Sequence, residues 1–75
     1  MENDKIVMEL KSIENFKDAI IIISTNTIYA KQINIYAKCV DESNFKEIRD
    51  KIKGCLSIAI YPAKNNEVRL LFNIR

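Results

Sequence analysis

Residues 41–75, DESNFKEIRDKIKGCLSIAIYPAKNNEVRLLFNIR, carry a helix and two strands in one uninterrupted reading. Phe45, Ile48 and Ile52 recur three and four positions apart, the spacing of one helical face, and Lys46, Glu47, Arg49, Asp50 and Lys53 fill the wet side. Asp41 or Ser43 is placed to cap this helix, expected over residues 43–53. Gly54, the only glycine of the chain, stands where a helix end calls for a left-handed residue. Leu56, Ile58 and Ile60 then alternate with Cys55, Ser57, Ala59 and Tyr61. Pro62 ends that strand, and residues 62–66 make the connection to the next. In the last segment Val68, Leu70, Phe72 and Ile74 alternate with Arg69, Leu71, Asn73 and Arg75, the period-two pattern of a half-buried strand.

Upstream, residues 18–24 contain four consecutive isoleucines, a run too stiff and β-branched to favour a helix, and one that predicts a strand buried on both faces. Residues 24–27, Ser-Thr-Asn-Thr, supply a turn. In residues 28–39, Ile33, Ile35, Ala37 and Cys39 point one way and Gln32, Asn34, Tyr36 and Lys38 the other, so the two strands form a hairpin. Near the start, Ile6, Leu10, Ile13, Phe16 and Ile20 lie four, three, three and four apart and predict a helix capped by Asn3 or Asp4. The alternative makes residues 5–11 a fifth strand with Ile6, Met8 and Leu10 inward, which leaves Ile13 and Phe16 out of register. Glu14-Asn15-Phe16-Lys17-Asp18 echoes Ser43-Asn44-Phe45-Lys46-Glu47, but without a sustained period the echo reads as chance.

The order α-β-β-α-β-β gives an α+β fold. It is a small two-layer sandwich, with a four-stranded, mainly antiparallel sheet and two helices on one face. Moving the first strand of the ferredoxin-like order to the end yields this arrangement, with sheet order 1-2-4-3 and the last strand inserted between the crossover strands. That order leaves the isoleucine run on an edge, where a flat apolar strand is a pairing hazard. Either that strand is central or another chain covers it, and the second option points to a homodimer.

Seventy-five residues and 8.7 kDa allow one domain, residues 1–75, and exclude a cleft between two lobes. The formal charge is +2, with net −2 over residues 1–50 and net +4 over residues 51–75, too weak for a nucleic-acid footprint on charge alone. The longest apolar run, residues 19–23, is far too short to cross a bilayer, and the expected location is cytoplasmic. Cys39 and Cys55 are expected as small core residues in a reducing compartment, with a disulfide as the alternative. Without histidine they cannot complete the usual structural zinc set.

The chain has no histidine to act as acid or base and no glycine-rich loop to cradle phosphate. Asp41 and Glu42 sit where a helix start favours carboxylates. The sequence therefore predicts no enzyme and no cofactor. The candidate site is the outward sheet face, where Tyr36, Lys38, Tyr61, Arg69 and Arg75 combine aromatic and cationic groups. Such a surface suits a protein interface, and the expected function is a binding or regulatory module acting through protein contacts, as a homo-oligomer and with another protein as partner. The second reading is a nucleic-acid-binding domain that stacks bases on the same face.

Overall fold

The computed structural model describes residues 2–25 and 28–75. In chain order these form α1 (Asn3–Lys11), a 3-10 turn (Glu14–Phe16), β1 (Ile20–Ser24), β2 (Lys31–Ala37), α2 (Glu42–Lys51), β3 (Ala59–Pro62) and β4 (Val68–Ile74). The sheet order is β1-β2-β4-β3, with antiparallel pairing at every step, so β2 and β3 run parallel on either side of β4. This is the α+β sandwich expected from the element order. Asn26 and Thr27 of the expected turn lie outside the described residues.

The seven-residue pairing of β2 with β4 builds the floor of the core. Ile33 sits opposite Phe72 and Ile35 opposite Leu70, and none of the four retains solvent exposure. Ile6 and Leu10 of α1, Ile13 and Phe16 beyond it, and Ile48 and Ile52 of α2 complete the layer above. Phe45 packs against this cluster while remaining half-buried. The apolar stripe read as one long N-terminal helix is real but is built from two pieces. Helix α1 ends at Lys11, Ser12 Oγ donates to the Glu9 carbonyl at 2.6 Å, and Ile13 turns extended before the 3-10 turn carries Phe16 inward. Residues 5–11 are helical, so the fifth-strand alternative does not hold. Neither Asn3 nor Asp4 caps α1. Its N-cap is Glu2, with no side-chain bond to the helix.

Helix α2 starts at a capping box. The Asp41 backbone N–H donates to Asn44 Oδ1 at 2.7 Å, which fixes Asp41 rather than Ser43 as the cap. Asn44 is 3% exposed and the only buried polar residue among those described. Its Oδ1 also accepts from Asn15 Nδ2 at 2.9 Å, and its own Nδ2 donates to Glu47 Oε1 at 2.9 Å. The two asparagines of the sequence echo thus meet, joining the 3-10 turn to α2. Helix α2 ends at Lys51, short of the expected Lys53, and Ile52 is already extended. Gly54, with φ +79°, therefore turns the link toward β3 instead of ending the helix, and its carbonyl accepts from the Arg75 N–H at 3.1 Å. A β-carbon there would stand 2.9 Å from the Arg75 carbonyl oxygen.

Three strand expectations change. Helices cover one side of the sheet only, so edge strand β1 is not buried on both faces, and Ile20 and Ile22 are 62% and 48% exposed. Strand β2 ends at Ala37, which leaves Cys39 exposed instead of in the core, while Cys55 is half-buried and both thiols are free. Strand β3 begins only at Ala59. Ile60 faces the core side opposite Leu70 but stays 50% exposed, because the edge extends past the helices. Cys55 makes a single bridge to Ile74, and the Leu56 N–H reaches the Asn73 carbonyl at 2.9 Å. The β3–β4 hairpin closes through Asn65 and Asn66, with φ values of 61° and 59°, and the Glu67 N–H donates to the Lys64 carbonyl at 3.2 Å. Paired left-handed residues match the twist of the strands they join.

Two substitutions probe this frame. Gly54→Ala forces a left-handed alanine against a backbone oxygen and is expected to cost roughly 1 to 3 kcal/mol in urea unfolding. Asn44→Ala removes the acceptor shared by Asp41 and Asn15 and should cost about 2 kcal/mol by the same measurement. A loss of only a few tenths in either case would contradict the role assigned to that residue.

Candidate functional site

Residues directly opposite in antiparallel strands share a face, so the register that buries Ile33, Ile35, Leu70 and Phe72 turns their neighbours outward. Two transverse rows result across the four strands. One runs Ile20, Tyr36, Arg69, Tyr61, and the next runs Ile22, Asn34, Leu71, Ala59. Ser24, Gln32 and Asn73 form a shorter third row. Among the described residues, no outward strand position carries a carboxylate, and Arg69 is the charge at the centre of the face.

Arg69 is held from two sides. Its Nη1 donates to Asn34 Oδ1 on β2 at 2.9 Å, and its Cζ lies 4.7 Å from the centre of the Tyr61 ring on β3. The guanidinium is therefore placed over an aromatic face and bonded along one edge, an arrangement that limits its rotamers and leaves further N–H donors for a partner. Asn73, at the other end of the face, keeps its Oδ1 buried without a hydrogen bond, so that end lacks the closed polar network seen around Arg69.

The five residues singled out by sequence separate into two sets. Tyr36, Tyr61 and Arg69 stand together in one row. Lys38 lies just past the end of β2, exposed, beside that row. Arg75 lies just past the far end of β4, next to Gly54. At the ordinary strand rise it is about 20 Å along the chain from Arg69 and outside the cluster. Ser57, also expected outward, precedes β3 and takes no place in the rows. Ile20 and Ile22 were missed as site residues. Hairpin parity alone could have placed them, since a strand opposite Tyr36 and Asn34 must present its own even positions on the same face.

A groove of about 310 Å³ adjoins this row, where the 3-10 turn, the start of β1 and the end of β2 converge. Tyr36, Lys38, Cys39, Lys17, Asp18 and Glu67 are among its lining residues. Lys17 pairs with Glu14 at 3.1 Å, and that carboxylate raises the ammonium's pKa. Both signs of charge line the groove, so it favours neither an anion nor a cation outright. No group of three or more metal-ligating side chains is gathered among the described residues, and none of their helices is long and apolar enough to cross a membrane.

Set against family models, curated proteins and solved structures, the chain matches none. The reading of the site therefore rests on its chemistry.

The two thiols should be distinguishable in solution. Burial pushes the Cys55 thiol's pKa up, with Arg49 opposing it weakly, and its Sγ contacts the Leu56 carbonyl at 3.2 Å. A thiol reagent near neutral pH is expected to modify exposed Cys39 quickly and Cys55 slowly. Because the fold favours the protonated thiol of Cys55, its contribution to stability is complete below the unfolded thiol's pKa. That contribution is lost as pH rises through the raised value. Equal modification rates, or stability that grows with alkalinity in a Cys39→Ser variant, would contradict this.

Proposed function

We propose that the chain is a small non-enzymatic binding or regulatory module of the cytoplasm. It acts through protein–protein contacts on the outer sheet face and works as a homo-oligomer. The observation that carries this reading is the Arg69 cluster. A guanidinium held between Asn34 and Tyr61 stands in one row with Tyr36 and Ile20, and Ile22 and Leu71 flank it in the next. Tyrosine and arginine set among aliphatic side chains are the groups that contribute most at protein interfaces, where a held side chain loses little entropy on binding. Asp18 and Glu67 line the groove beside the row, and the N–H donors left on Arg69 favour a partner that presents carbonyl or carboxylate groups to that side chain.

The same row keeps nucleic acid as the second reading, since two tyrosines and an arginine could receive unstacked bases. One central cation, with Lys38 and Arg75 at opposite ends, offers little phosphate tracking, which favours the protein reading.

The test uses Arg69→Ala and Tyr36→Ala. Proteins recovered with the wild-type chain but lost with either variant are retitrated as purified partners. Each substitution is expected to weaken binding by roughly 1 to 3 kcal/mol, with the unfolding midpoint little changed. Binding unaffected by both would remove the outer face from consideration. A mobility-shift titration with single-stranded and duplex oligonucleotides across salt decides the second reading, because phosphate contacts must weaken steeply as salt rises.

A further inference from the structure

Edge strand β1 has the sequence IIIIS, and its exposure alternates without ever closing. Ile20 and Ile22 are exposed on the outer face, while Ile21 and Ile23 on the inner face are only half-buried against the core. A partner lying on the outer face could cover the first pair and would leave the second. A strand added along the edge reaches both at once and also occupies the backbone N–H and C=O groups that an edge presents.

The other edge of the sheet is blunted. Strand β3 is four residues long and ends in Pro62, which has no N–H to donate. Strand β1 has no proline, glycine or charged residue within it. Of the two edges, one is built to refuse a strand and the other is not.

We infer that β1 pairs antiparallel with β1 of a second copy of this chain, about a twofold axis passing through Ile21, joining two four-stranded sheets into one of eight. This rests on the homo-oligomeric part of the reading above and gives it a geometry. The register follows from complementarity. With Ile21 opposite its own mate, Ile20 faces Ile22 of the second copy on the outer face, and Ile23 faces the buried Ala19 that leads into the strand. Every isoleucine of the strand then meets an apolar residue. Moving the axis to Ile22 sets Ile20 against Ser24, and moving it to Ile20 leaves Ile22 and Ile23 opposite the turn that precedes β1. A parallel pair would bring the two turns that carry Asp18 together, whereas the antiparallel pair sets them at opposite ends of the joined strands.

An axis perpendicular to the sheet keeps all helices on one side and merges the outer faces. The row Tyr61, Arg69, Tyr36, Ile20 then continues into Ile22 and Asn34 of the second copy. The two arginine clusters come to lie about 24 Å apart across the strands. The dimer presents its partner with two equivalent anchor points.

Sedimentation velocity from sub-micromolar to millimolar chain should show a reversible monomer–dimer equilibrium, weakened at least tenfold by the double variant Ile20→Lys, Ile22→Lys without loss of secondary structure. In a Cys39→Ser, Cys55→Ser background, Ile21→Cys should form a disulfide dimer in glutathione buffer at least tenfold faster than Ser24→Cys. Should Ile21→Cys not fold, spin labels on Ser24→Cys read the same register as a distance of about 20 Å between copies. A dimer that ignores the lysine pair, or links both cysteine variants equally, overturns edge pairing and leaves self-association through another surface. A monomer at every concentration overturns the homo-oligomer as well, while the outer-face reading is judged separately by Arg69→Ala.

Discussion

The antiparallel register between β2 and β4 is the constraint from which the rest of the molecule follows. It sets Ile33 against Phe72 and Ile35 against Leu70, with no exposed surface left on any of them. Because side chains alternate, the same seven pairs place Asn34, Tyr36, Arg69 and Leu71 on the opposite face. A slip of one residue would send both sets to the wrong side, so the core and the candidate site are two readings of a single register. Arg69 sits where it does because Leu70 is buried beside it.

Above the sheet, one polar contact organises an otherwise apolar layer. Asn44 is buried, yet its oxygen accepts from both Asp41 and Asn15, and its nitrogen donates to Glu47. A buried amide left unpaired would be costly, and one paired in a single arrangement specifies that arrangement. Here it ties the 3-10 turn to the first turn of α2. It joins the segment ahead of β1 to the helical layer, while pairing with β2 alone leaves the isoleucine run at the sheet edge.

Two helices can cover one face of a four-stranded sheet and no more. The uncovered face is therefore a product of size as much as of selection, and what distinguishes it is its content. A bare sheet face in a small domain is expected to be polar. This one carries Ile20, Ile22 and Leu71 around an arginine bonded to asparagine and stacked on tyrosine. Holding Arg69 in place costs rotamer entropy within the fold itself, a cost that a contact at this side chain would not have to meet again.

Local pattern was enough for the number, type and order of the elements, because period two and period 3.6 are written in neighbouring residues. It was also enough for a left-handed Gly54, though not for the end of α2 at Lys51, and for the inward set of β2 and β4 apart from Cys39. Deduction from element order supplied the sheet order, since an α-β-β-α-β-β chain has few ways to bury one layer. Tyr36, Tyr61 and Arg69 were legible as outward residues for the same reason. The end of α1 at Lys11, the meeting of Asn15 with Asn44, and the exposure of Cys39 were not legible, because each depends on contacts between residues distant in sequence. The isoleucine run is the clearest case. Its composition asked for burial on both faces, and only the tertiary structure, by placing β1 at an edge beneath too few helices, decided that half of it would face solvent. Hydrophobicity states what a side chain would gain from burial, whereas the supply of covering surface is a property of the whole fold.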